Sequence, residues 1–175
     1  MDYCVIPECF VDTNMAETLV KPKMGYNHQK GCGTVGKVMQ TKLKDSFALG
    51  IIDKDKKELD YLKEFNIVVV SGSVTLYKHA TRHHYFIQIV PAMEAFILKI
   101  AEGLGLRLKD FDLPDNLDLL KKEAKTTTSK NDPRFRKLFK AFLTNDAADI
   151  RQVKAWLSYL KETGYQASLE ELQKL

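Results

Sequence analysis

A chain of 175 residues, 45% hydrophobic and 29% charged, has the length and composition of a globular domain with a buried core, not of a disordered or fibrous chain. No stretch approaches the roughly 18 uninterrupted apolar residues of a membrane span. The start, Met1-Asp2-Tyr3-Cys4-Val5-Ile6-Pro7, lacks the basic segment and small-residue cleavage site of a signal peptide, so the expected compartment is the cytoplasm, with no membrane contact. The net charge of +4 is mild, and the three cysteines Cys4, Cys9 and Cys32 lack the spacing of a zinc site or a disulfide framework. Cys4 and Cys9, within an apolar run, read as small hydrophobes.

Residues 3–11 read as a first strand, with Pro7 marking a bulge or an edge position. Asp12 follows it. Thr13-Asn14 offer capping side chains, and a short helix is expected over 15–20 with Glu17 in its first turn and Pro22 at its close. Asp12 and Glu17, spaced this way, can face one crevice. Residues 23–29 form at most a short strand. Gly31-Cys32-Gly33-Thr34-Val35-Gly36-Lys37 has the spacing of a phosphate loop, but Val38 stands where the magnesium-binding hydroxyl belongs and the preceding segment is not a buried strand, so that reading is rejected. The turn still opens a helix expected over 34–44, whose free amides, with Lys37, can meet an anion.

Phe47-Ala48-Leu49-Gly50-Ile51-Ile52-Asp53-Lys54-Asp55-Lys56 is an apolar run, one strand long, that stops on two carboxylates. In an extended backbone Asp53 and Asp55 point the same way, about 6–7 Å apart. They can grip a hard cation, or one of them can cap the helix that follows. That helix is expected over 56–65, burying Leu59 and Leu62, and Ile67-Val68-Val69-Val70 suits a strand buried on both faces of a parallel sheet. Strand, helix and strand in succession make a βαβ unit with a right-handed crossover. Short strands are expected over 75–79 and 85–90, and Pro91 starts a helix carrying Glu94 on its first turn. His79, His83 and His84 flank a polar loop without the helical i, i+4 spacing of a metal site, and read as solvated or locally hydrogen-bonded side chains, or as groups for substrate contact or metal assistance.

Beyond Gly105 the pattern is helical: 115–124, 132–143, 149–162 around Trp156, and a last short helix opened by Ser168, with 126–129 as a polar, mobile linker. The expected architecture is an α/β domain over 1–105, a mostly parallel sheet flanked by helices, with an all-helical appendage over 106–175. Lys121, Lys122, Lys125, Lys130, Arg134, Arg136, Lys137 and Lys140 face only Glu123 and Asp132 in their stretch. Such a patch meets phosphates or forms the solvated face of a helix.

Asp12 and Glu17 after the first strand, the glycine-rich turn before a helix, and Gly50-Ile51-Ile52-Asp53-Lys54-Asp55-Lys56 together resemble the Toprim domain of primases, topoisomerases and OLD-family nucleases, over roughly residues 3–100. The family places an acid after its first strand, usually as Glu-Gly where this chain has Asp12-Thr13, and an Asp-x-Asp after a later one. The resemblance implies a Toprim-like sheet in which Asp12, Asp53 and Asp55, with Glu17 and Glu94, hold Mg²⁺ or Mn²⁺ for cleavage at a phosphodiester of nucleic acid. Lys54 or Lys56 would offset phosphate charge, and the stretch 121–140, with Lys121, Lys122, Arg134 and Arg136, would guide the strand. The altered Asp12-Thr13 leaves a second expectation, a non-catalytic nucleic-acid or protein binding module on the same scaffold.

Overall fold

The computed structural model describes residues 2–54 and 59–175. Five strands form one sheet in the order β1-β2-β5-β4-β3: β1 (Val5–Pro7), β2 (Ala48–Asp53), β3 (Phe65–Ser71), β4 (Val74–His79) and β5 (His84–Ile89). The pairs β1–β2 and β2–β5 are parallel, whereas β5–β4 and β4–β3 are antiparallel. The sheet is therefore mixed, which corrects the mostly parallel expectation. The reason lies in Ser71-Gly72-Ser73, a tight turn with Gly72 at φ +54° that folds β4 straight back along β3. A parallel crossover needs a far longer connection. The β-branched run Ile67–Val70 is accordingly not buried on both faces: β3 is an edge strand, with Ile67 60% and Val70 63% exposed. The helix expected over 56–65 is replaced, where the chain is described, by a 3-10 turn at Asp60–Glu64.

β2 sits between two parallel neighbours, and its side chains alternate between two cores. Ala48 and Ile52 join Ile6, Val35, Val38, Met39 and Phe86 beneath helix α2 (Cys32–Thr41). Leu49 and Ile51 face the larger core, which takes in α1 (Phe10–Leu19), α3 (Met93–Gly103), α4 (Leu117–Ala124), α5 (Pro133–Thr144), α6 (Ala148–Thr163) and α7 (Leu169–Lys174). Phe135, Phe139, Phe142 and Trp156 belong to the same buried cluster as Val5 and Ile87, so the helices after residue 105 and the sheet share one interior. Gly50 is required here because a Cβ would lie 2.3 Å from the Phe86 ring. The stretch 126–129, expected as a linker, is folded into the structure: Thr127–Asn131 form a 3-10 turn, Ser129 is buried, its hydroxyl reaches the Ala124 carbonyl at 2.8 Å, and Asn14 Nδ2 donates to Ser129 O at 2.8 Å.

The first strand is much shorter than the periodicity suggests. Phe10 and Val11 continue the apolar run of β1 but belong to α1, because Cys9 and Asp12 close a capping box: Cys9 N donates to Asp12 Oδ2 at 3.0 Å and Asp12 N to Cys9 Sγ at 3.2 Å. Asp12 is thus a first-turn helical residue, not the end of a strand.

Of the histidines, His79 and His84 are buried and structural. His84 Nε2 lies 2.9 Å from the Leu43 carbonyl, which can only accept, so Nδ1 accepts from Tyr61 Oη at 2.6 Å and the ring is held neutral. Burial lowers its pKa below the ordinary 6.5. A lowered histidine pKa means that the unfolded chain takes up the proton first, so His84 withdraws stability as the pH falls below about 6.5. The expected result is a ring titration midpoint below 6.5 by ¹H–¹⁵N NMR; a midpoint at or above it contradicts the assignment.

Candidate functional site

Parallel pairing sets the C-terminal ends of β1 and β2 side by side, and ligands of α/β sheets bind in the crevice beyond such ends. Glu8 stands immediately after β1, where its amide donates to Ile51 O at 2.9 Å. Its carboxylate turns toward β2 and accepts from Asp53 N at 3.1 Å. Asp53, the last residue of β2, accepts in turn from Met93 N at 3.1 Å, at the N-terminus of α3, where the helix dipole favours a negative charge. Two carboxylates from distant parts of the chain are thereby fixed at one rim of the sheet.

Asp12 lies behind them with no exposed surface. Its Oδ2 is taken by the Cys9 amide, while its buried Oδ1 has no hydrogen-bond partner among the described residues. Burial, and then the charges of Asp53 and Glu8, push its carboxyl well above the usual aspartate range. Burial likewise raises the Cys9 thiol well above its ordinary value, which favours the protonated thiol over the thiolate. A buried oxygen without a partner beside two other acids is an arrangement that a cation would complete.

The crevice in front, about 650 Å³, is lined by Glu8, Asp53, Glu94 and His28, with Lys30, Lys54, Lys121 and Lys125 among the cations at its walls. The His28 ring stacks on Phe10 with centroids 4.3 Å apart. Thr13 Oγ1 donates to Cys9 O at 2.7 Å, so at 3.1 Å from His28 Nδ1 it can only accept, and Nδ1 carries the proton. His28 Nε2 is then a buried lone pair with no partner among the described residues, and burial lowers the ring's pKa.

The sequence-derived candidates divide as follows. Asp53, Glu94, Lys54 and Lys121 line this crevice, and Asp12 is coupled to it from behind. Asp55 lies outside the described residues. Glu17 is elsewhere: it lines a separate hollow, accepts from Tyr26 N at 3.1 Å and meets Lys130 at 3.8 Å. Lys37 and Lys122 are exposed and do not line the crevice. Arg134 is held by Asp132 and Glu123, each at 2.7 Å, and Arg136 lines the hollow of Glu17. Glu8, His28 and Lys30 were missed by the sequence reading. The signal for Glu8 was an acid directly after Pro7, hidden by the apolar pair Phe10-Val11 beyond it. The turn at Gly31 does open α2, and its amide donates to Glu8 O at 3.2 Å, tying the two segments together.

Among the described residues no three His, Cys, Asp or Glu side chains are grouped so as to hold a metal ion as they stand. The oxygen donors Glu8, Asp12 and Asp53 nevertheless suit a hard cation in kind, and the unpartnered Asp12 Oδ1 is the observation that favours one. The repulsion carries a testable cost. In Asp12→Asn the amide oxygen can still accept from Cys9, and its NH₂ group replaces the orphaned oxygen beside Asp53 and Glu8. A raised folded-state pKa penalises the wild type as the pH rises through that pKa. At pH 8 in chelator the variant should be more stable by about 1 kcal/mol or more, roughly 2–4 °C in Tm. The gain should vanish below the ordinary aspartate pKa, where wild-type Asp12 is protonated folded or unfolded; a variant no more stable at pH 8 contradicts the coupling.

Comparison of the chain with models of protein families, with curated proteins and with solved structures finds no match.

Proposed function

We propose that the crevice is a Mg²⁺- or Mn²⁺-dependent site that cleaves phosphodiesters of nucleic acid, with a Toprim-like layout of acids. The observation that carries the reading is the meeting of Glu8 and Asp53 at the carboxyl ends of adjacent parallel strands, with Asp12 behind them. The resemblance gains support from one shift of position. With β1 ending at Pro7, the acid directly after the first strand is Glu8, and Glu8-Cys9 stands where the family has Glu-Gly. Asp12-Thr13 belongs to the helix instead.

In this reading Glu8, Asp12 and Asp53 would hold the cation. The bound ion would polarise the phosphoryl oxygens and favour charge build-up on the attacking and leaving oxygens. The chain's own groups do the rest. Lys30, Lys54, Lys121 and Lys125 draw in the phosphate backbone, giving salt-sensitive binding. The Met93 amide holds the Asp53 carboxylate in one orientation. Glu94, one residue further into α3, adds negative charge to the wall.

The test is cleavage of single- and double-stranded DNA and RNA with Mn²⁺ or with chelator, alongside binding in the same buffer. Metal-dependent cleavage is expected. Salt-sensitive binding without cleavage selects the binding module, and neither binding nor cleavage overturns both readings.

A further inference from the structure

A second hollow, about 450 Å³, lies between α1, the turn that follows it and α5. Three cations line it: Lys21 just beyond α1, and Arg136 and Lys140 one helical turn apart on α5. The single carboxylate at its wall, Glu17, is already engaged on the protein side, accepting from the Tyr26 amide at 3.1 Å and meeting Lys130 at 3.8 Å. It holds the turn at Gly25, which needs its φ of +94°.

The contrast with neighbouring cations is what singles the hollow out. Arg134 has Asp132 and Glu123, Arg151 has Asp146, and Lys161 has Asp2, all within 3 Å. Among the described residues Lys21, Arg136 and Lys140 have no carboxylate within 4.0 Å of their side-chain nitrogens, and the Arg136 guanidinium donates only to the neutral Asn131 Oδ1 at 3.1 Å. Like charges converging on a concave surface repel one another, and an anion seated among them turns that repulsion into attraction. The guanidinium offers paired donors to two oxygens of one group, and each ammonium adds a point charge.

We propose that this hollow is a phosphate seat, separate from the crevice at Asp53 and independent of whether that crevice cleaves anything. The phosphate comes either from a nucleic-acid strand or from a free phosphorylated metabolite. The probe is inorganic pyrophosphate, titrated calorimetrically into the full chain. Saturable binding at one site is expected, weakened about tenfold or more in Lys21→Gln/Arg136→Gln/Lys140→Gln. It should be unchanged in Asp53→Asn and in a control with the same charge change elsewhere, Lys42→Gln/Lys44→Gln/Lys154→Gln. Lys140→Glu alone, on an exposed position, guards against a triple variant that fails to fold, and should weaken binding too. Displacement of pyrophosphate by a 5′-phosphorylated oligonucleotide, but not by its unphosphorylated form, identifies a strand end as the source; displacement by ribose 5-phosphate identifies a metabolite. No saturable binding, or equal weakening in the control variant, overturns the seat.

Discussion

Asp53→Asn is expected to lower metal-dependent phosphodiester cleavage by at least about 100-fold, since loss of an outer-shell partner alone costs about 10–100-fold at metal sites. It should also abolish the thermal stabilisation that the cation gives. At ten times its dissociation constant, an ion that binds only the folded state contributes about 1.4 kcal/mol, or roughly 3–6 °C for a chain of this length. The substitution isolates the charge, because an asparagine oxygen can still accept from Met93 N and the end of β2 remains tied to α3. An Asp53→Asn protein that keeps the full Mg²⁺-induced shift removes Asp53 from the site.

Phe142→Ala is expected to be among the most damaging single changes in the helical segment. Its ring is fully buried on α5, packed edge-on against Phe139 at 6.2 Å between centroids. Truncating a buried phenylalanine costs about 3–5 kcal/mol, which here lowers Tm by roughly 6–20 °C. The informative part is the shape of the transition. Residues 108–172 contribute to the same buried cluster as Val5, Leu49 and Ile87, so the sheet should melt with the helices. Far-UV circular dichroism and the fluorescence of Trp156, the chain's one tryptophan, should report a single coincident transition. A second transition left at the wild-type temperature would mean that the sheet stands without the helices.

Particular residues show why some of this was legible in the sequence. β2 is an unbroken apolar run that ends on a carboxylate, so both the strand and the placement of Asp53 could be read directly. The helices of the C-terminal half follow from their apolar periodicity, and Asn116, Asp132 and Ser168 cap them through side-chain oxygens. The start of α1 was hidden because its cap is a cysteine, whose sulfur does what a serine oxygen usually does. That displaced the end of the first strand and put Asp12 forward in place of Glu8. The β3–β4 hairpin carried a turn signal, Ser71-Gly72-Ser73, but the β-branched run before it has the composition of a buried parallel strand. Composition does not distinguish a central strand from an edge strand whose exposed face is also apolar. The hollow of Lys21, Arg136 and Lys140 depends on α1 packing against α5, a tertiary contact that no local pattern announces.

The most direct measurement is anomalous diffraction from crystals of the full chain soaked in Mn²⁺. The account predicts an anomalous peak at the rim of the sheet, within coordination distance of carboxylate oxygens of Glu8 and Asp53 and joined by Asp12. A site left without such a peak at saturating Mn²⁺, with Glu8 and Asp53 still in their present hydrogen bonds, would contradict it.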